Sequence, residues 1–136
     1  MQFRGEYYFL SNMYPCTINY GGHTYKCAEA AFQAQKCPSK AKEFEKLDGY
    51  AAKKLGRHVN LRNNWAEIKV DIMKDILWSK FNDNEILHDI MADKRFTEPI
   101  VEENTWHDTY WGVCGGKGEN VLGKLLTEIR NKIQGE

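Results

Sequence analysis

Glu29 lies in the run from Cys27 to Lys36, which reads CAEAAFQAQK. A carboxylate among so many small apolar residues needs a partner or a task, because burying an uncompensated charge is costly. The alanines predict a helix, and at helical spacing Glu29, Gln33 and Lys36 share one face. That face resembles the wall of a polar pocket more than core. A second carboxylate, Asp108, sits in a stretch that reads as a loop with Trp106, Tyr110 and Trp111. Two such acids suit the cleavage of an N-glycosidic bond, which breaks through an oxocarbenium-like sugar: one carboxylate stabilises the developing cation, the other moves a proton or positions water. The blander alternative is that Glu29 holds Lys36 or a backbone amide, since pairs of acids are common in surface networks.

Three further segments combine polar chemistry with aromatics or glycines. In Phe9-Leu10-Ser11-Asn12 an aromatic can stack on a flat ligand while Asn12 reads its polar edge; a turn with a local Asn hydrogen bond explains the same residues. Between Gly56 and Trp65, Arg57 and Arg62 can hold a phosphate and Trp65 can cover a heterocycle. Alternatively Asn64 caps a helix and Trp65 is its first core residue. His58 is read as structural. The third segment, 102–112, contains two adjacent acids and three large aromatics and runs into Gly115, Gly116, Gly118 and Asn120. The glycines permit close backbone approach, but their spacing matches neither a P-loop nor a dinucleotide fingerprint.

The elements that must position these groups follow from periodicity and punctuation. Tyr7 to Leu10 and Thr17 to Tyr20 read as short strands, and Gly21-Gly22 is a two-residue hairpin turn leading into a strand from His23 to Lys26. The Glu29 helix is interrupted by Pro38 and Ser39, with short helices over Lys40 to Leu47 and Ala51 to Leu55, the latter ended by Gly56. A long helix from Trp65 to Phe81 has an apolar stripe of Ile68, Ile72, Met73, Ile76, Leu77 and Phe81. A smaller helix spans Glu85 to Met91, Pro99-Ile100-Val101 reads as a short strand, and a last helix from Asn120 to Ile133 buries Leu122, Leu125, Leu126, Ile129 and Ile133. The expected fold is α+β: a compact, mostly helical single domain over residues 1–136 with a small β-sheet or hairpin.

Composition narrows the function classes. With 136 residues and 42% hydrophobic content, one core is expected rather than two independent lobes. Lys plus Arg equals Asp plus Glu at 19 each, so no global field favours nucleic acid or an anionic membrane, and a bound anion must be caught by local groups. No apolar stretch approaches a membrane span, and the N-terminal segment lacks the pattern of a secretory signal, so a soluble cytoplasmic protein is expected with no membrane association. Four cysteines and four histidines show no metal-ligand spacing, so no metal is expected.

Taken in order, Phe3-Arg4-Gly5, Phe9-Leu10-Ser11-Asn12, Tyr25, the run Glu29 to Lys36, Ala52-Lys53-Lys54-Leu55-Gly56-Arg57, Arg62-Asn63-Asn64-Trp65, Lys80-Phe81, Asp108-Thr109-Tyr110-Trp111-Gly112 and Gly118, Asn120, Leu122, Gly123 resemble the NADAR family. The resemblance covers nearly the entire chain. Ala30 stands where the family pattern has a histidine, and Met13 where an aromatic is frequent. Both substitutions touch substrate choice more than reaction class.

The resemblance implies hydrolysis of a ribose N-glycosidic bond without metal or redox cofactor. Family members release ribose 5-phosphate from aminated pyrimidine intermediates of riboflavin synthesis, or remove ADP-ribose from modified guanine bases. The implied partners are therefore a small phosphoribosyl or ADP-ribosyl substrate or an ADP-ribosylated guanine in nucleic acid, with no protein partner required. The implied catalytic residues are Glu29, Trp65 and Asp108: Trp65 stacks on the leaving base, Glu29 stabilises the ribosyl cation and Asp108 orients or deprotonates water, with the two acid roles open to exchange. Phe9 and Asn12 would lie near the base, Trp111 and Gly112 would shape the pocket, and Asn120 belongs to the pattern. Lys36, Arg57 and Arg62 are the phosphate candidates. A nonhydrolytic ADP-ribose or nucleotide-binding module remains the competing reading; a structural interaction domain gives no reason for the joint occurrence of Glu29, Trp65 and Asp108.

Overall fold

The computed structural model describes residues 1–135 of the chain. Asn12–Asn84 pack as one unit, and Met1–Ser11 with the chain from Glu85 onward pack as another.

In the unit Asn12–Asn84, Ile18–Tyr20 (β1) and His23–Tyr25 (β2) form the expected antiparallel hairpin, with Ile18 opposite Tyr25 and Tyr20 opposite His23. Gly21 and Gly22 both take positive φ, 58° and 83°, which matches a type I′ turn and the natural twist of the strands it joins. The chain then enters Ala28–Ala34 (α1), where Ala28, Ala30, Ala31 and Ala34 have no exposed surface. Side chains this small let neighbouring helices approach the α1 backbone closely. Pro38–Lys40, at the expected interruption, is a single 3-10 turn, and Ala41–Phe44 is a short helix (α2) inside the stretch from Lys40 to Leu47 expected to be helical.

Gly49–Gly56 (α3) packs on α1. Asp48 starts it by accepting the Ala51 N–H at 2.8 Å, a cap the sequence reading missed. Trp65–Asp83 (α4) also packs on α1 and buries Ile72, Met73, Ile76, Leu77 and Phe81 as expected. Asn64 is not a side-chain cap; instead its carbonyl accepts the N–H groups of Glu67 and Ile68 at 3.0 and 3.2 Å. The apolar stripe of α4 also contains Lys80, which is fully buried with its ammonium 5.0 Å from the Phe81 ring centroid and 5.7 Å from that of Tyr14. Burial holds its pKa down to about 8, with the Cys16 and Cys27 thiols pulling weakly the other way.

In the second unit, Gly5–Leu10 is a 3-10 helix and not the strand expected over Tyr7 to Leu10. No strand pairs with it, and Phe9 and Leu10 are both buried, which a strand with alternating faces would not allow. Glu85–Ala92 (α5) matches the expected small helix and packs on Val121–Gln134 (α6). The expected strand over 99–101 is absent: pairing begins at Glu103–Asn104 (β3), which runs parallel to Val113–Cys114 (β4). The reason lies in Asn120. Its Oδ1 accepts the Glu102 N–H at 2.9 Å and its Nδ2 donates to the Ile100 carbonyl at 3.1 Å, so the backbone that a ladder would use is bonded to a side chain. Asn120 itself is left-handed, φ 53°, a region asparagine tolerates better than most residues. The fold class is α+β, mostly helical with a small hairpin, as the sequence predicts.

Two stability tests follow from these contacts. A lysine whose folded pKa lies below its unfolded value destabilises the fold while charged, and that penalty is relieved as pH rises from about 8 toward 10.5. Wild-type protein should therefore gain up to roughly 3 kcal/mol over that window relative to Lys80→Met. Urea unfolding of both proteins at several pH values reads this directly; parallel pH profiles would refute it. Asn120→Ala should lower the unfolding free energy by about 2 kcal/mol, because it orphans two backbone groups. An unchanged urea midpoint would show that water replaces the amide.

Candidate active site

Helix α1 presents Glu29 in its first turn, where the dipole favours a negative charge. The Glu29 N–H donates to the Asn12 carbonyl at 2.9 Å, which anchors residue 12 at the start of the helix. One turn on, Gln33 Nε2 donates to Glu29 Oε2 at 2.7 Å, the short distance of a charge-assisted bond. Gln33 is only 5% exposed, whereas Glu29 is half-buried. The shared face that helical spacing predicts for Glu29 and Gln33 is thus a direct contact.

Lys36 acts on this carboxylate and stands among other cations. Burial lowers the Lys36 pKa, Glu29 raises it, and Arg57, Lys53 and Lys69 lower it further. Arg57 follows α3, Lys53 lies on it, and Lys69 lies on α4. The sequence offers Lys36 and Arg57 as phosphate candidates, with Lys53 only as part of the family motif and Lys69 not at all; the spacing of Lys53 and Arg57, one helical turn apart, is the available signal. Arg62 joins through its backbone, donating its N–H to the Lys36 carbonyl at 2.9 Å, while its side chain is exposed.

Asn12 is 9% exposed, and its Nδ2 lies 3.5 Å from the Met73 sulfur. Its Oδ1 is buried and finds no hydrogen-bond partner among the described residues, and the same holds for Gln33 Oε1. Buried polar atoms of this kind are rare, and each calls for a reason. Trp65 is also buried, with its ring centroid 5.1 Å from that of Phe32 and the planes tilted by 51°. It anchors the start of α4 on α1.

The remaining sequence candidates, Phe9, Asp108, Trp111, Gly112 and Asn120, belong to the second unit. Asp108 Oδ1 accepts the N–H groups of Tyr110 and Trp111 at 3.1 and 2.9 Å, an Asx-type turn that shapes the loop. Asn104 holds the same residue from the other side: its Oδ1 accepts the Asp108 N–H at 3.1 Å, and its Nδ2 donates to the Asp108 carbonyl at 2.9 Å and to Glu102 Oε2 at 2.8 Å. Gly112 must be glycine, since a Cβ there would overlap the Glu102 carboxylate and carbonyl. Glu102, 8% exposed, is a buried acid that nothing in its flanking sequence distinguishes from exposed Glu103. Phe9 packs edge-on against Phe96 at 6.0 Å, and half-buried Trp111 against Tyr110 at 5.0 Å. Among the described residues no three His, Cys, Asp or Glu side chains gather as a metal site, and no helix is long and apolar enough to cross a membrane.

The chain is 33% identical over 135 residues to the N-glycosidase YbiA of Escherichia coli, an alignment covering 94% of this chain and 82% of that protein. It is 32% identical over 133 residues to a riboflavin biosynthesis protein of Vibrio vulnificus, covering 93% of this chain but about a third (35%) of the longer Vibrio protein. The NMR structure of E. coli YbiA superposes with a TM-score of 0.83 at 31% identity, over 98% of this chain and 82% of that one. The NADAR domain profile matches residues 2–134. With the arrangement around Glu29 and a match of this extent, the chain belongs to the NADAR family.

Proposed function

We propose that this protein is an N-glycosidase that hydrolyses the ribose N-glycosidic bond of phosphoribosylated aminouracil intermediates of riboflavin biosynthesis, releasing ribose 5-phosphate, and that it acts in the cytoplasm. The observation that carries the reading is the grouping in one unit of a positioned carboxylate, Glu29, a buried acceptor without a partner, Asn12 Oδ1, and the cations around Lys36. Its similarity to YbiA, named an N-glycosidase, and to a protein named for riboflavin biosynthesis supports the same reading.

As the bond between the anomeric carbon and the base nitrogen lengthens, positive charge accumulates on the ribose. Glu29, ionised and held by Gln33, stabilises that charge, and stabilisation of this type is worth most where the group is already oriented. The departing base takes the bonding electron pair, the oxygen of water bonds to the anomeric carbon, and the proton that this water loses is, in the net reaction, the one the base gains. Asn12 Oδ1 has the chemistry to accept a hydrogen bond from an exocyclic amine of the aminouracil. Lys36, Lys53, Arg57 and Arg62 supply the charge that a phosphate needs. Within this unit Trp65 is assigned to the leaving base on the family resemblance; for Phe9, Trp111 and Asp108 the roles are those the resemblance implies. Removal of ADP-ribose from guanine is the second reading, and it is favoured by the number of cations near Lys36, which is ample for a diphosphate.

Incubation of purified protein with a phosphoribosylated aminouracil and with ADP-ribosylated guanosine, followed by chromatography of base and sugar, separates these readings. Release of ribose 5-phosphate from the first supports the proposal; release of ADP-ribose from the second alone supports the second reading; saturable binding without product makes the protein a nucleotide-binding module. Glu29→Gln should lower kcat by about 100-fold or more while the thermal midpoint changes little. Lys36→Met should raise KM more than it lowers kcat. Because burial brings the Lys36 proton off at lower pH than an ordinary lysine, the wild-type KM should rise on the alkaline limb, and a flat KM up to pH 10 would remove Lys36 from the phosphate site.

A further inference from the structure

We propose that Gln33 is the positioning residue for Glu29, and that residue 56 is glycine so that the Gln33 amide can occupy the place from which it holds that carboxylate. The inference rests on the N-glycosidase reading for its kinetic consequence, but not for its structural one.

Packing alone does not explain an amide at position 33. The side chain is buried on the inner face of α1, where methionine or leucine would fill the space without leaving a polar atom orphaned. Gln33 Oε1 has no hydrogen-bond partner among the described residues. The amide nevertheless turns its nitrogen to Glu29 Oε2 at 2.7 Å, since the opposite orientation would set two oxygens against each other. The space comes from α3: a Cβ on Gly56 would overlap Gln33 Oε1 and lie 2.8 Å from the Gln33 amide carbon. Gly56 does not have a positive φ, so backbone conformation does not demand glycine here; the close approach does. Two residues on adjacent helices thus set the hydrogen bond to one carboxylate oxygen. An amide suits the task because it does not titrate, so its donor persists at every pH at which the enzyme works.

The ionisable groups facing Glu29 stay the same when Gln33 is replaced. They include Lys36 just after α1 and the Cys27 thiol before it; Lys53 and Arg57 from α3 and Lys69 from α4 act on Lys36. A change in the titration of Glu29 can then be attributed to the lost hydrogen bond.

The test uses Gln33→Met and Gly56→Ala in the full chain. Carbon-13 NMR titration of the Glu29 carboxyl needs no substrate, and turnover of the phosphoribosylated aminouracil is followed in parallel. For Gln33→Met the expected results are a cooperative thermal transition, a Glu29 titration displaced upward, kcat lower by about 10-fold to 100-fold and KM within about twofold. Gly56→Ala, which pushes the amide away, should displace the titration in the same direction and carries the test if Gln33→Met does not fold. Folded variants with wild-type titration and wild-type kcat would overturn the proposal. Failure of wild-type protein to release sugar would sink the N-glycosidase reading while the titration still decides the role of Gln33.

Discussion

Helix α1 must be buried along nearly its whole length and still carry a carboxylate, and the unit Asn12–Asn84 is arranged around that requirement. Six of its seven residues are buried, and the seventh, Glu29, is half-buried. A charge in that position persists only with partners. Gln33 supplies a hydrogen bond from the same helix, the first-turn location supplies the helix dipole, and the Lys36 cluster supplies opposite charge. Alanines on α1 and glycines at both ends of α3 make the close approach possible: a Cβ on Gly49 would overlap the Met13 sulfur and stand 3.4 Å from Glu29 Cβ, and one on Gly56 would overlap Gln33.

The second unit is held by a different device, in which side-chain amides bond the backbone where no ladder does. Asn120 binds residues 100 and 102, Asn104 binds residue 108 from both its atoms, and Gln134 Nε2 donates to the carbonyls of Met91, Asp93 and Phe96 at 3.0, 2.9 and 3.1 Å. Arg130 adds a 2.6 Å bond to the Glu98 carbonyl while its guanidinium lies 4.7 Å from the Phe96 centroid. Loops built this way have backbone groups satisfied without regular structure, among them the segment that carries Asp108 and Trp111. The Asp108 carboxylate takes part in that order through the Tyr110 and Trp111 amides, so its replacement alters loop geometry as well as charge.

Periodicity made the helical framework legible. The apolar stripes of α4 and α6 were readable because each repeats over three or more turns, and the hairpin because Gly-Gly between two short polar-apolar runs has few other uses. Readings failed where a local pattern was short. Tyr7 to Leu10 looks like a strand by composition and is a 3-10 helix for lack of a pairing partner, and 99–101 has strand-forming residues whose backbone is bonded to Asn120 instead. Asn64 has the type expected of a cap, yet only its carbonyl takes part. Propensity describes what a segment can do alone; the partner it meets decides what it does.

At the candidate site, residue type and helical spacing alone placed Glu29, Gln33 and Lys36 on one face, and the order of motifs along the chain pointed to the NADAR family. Both are local properties, carried by separations of three or four residues or by linear order. Tertiary structure decided what those properties cannot contain: that Gln33 faces Glu29 while Gly56 makes room for it, that Lys53 and Lys69 join Lys36, that Trp65 is buried against Phe32, and that Lys80 lies inside the core. Each of these depends on which helix packs against which, and at what distance. Charge, burial and hydrogen bonding at a site are set by neighbours distant in sequence, and a spacing rule is blind to them.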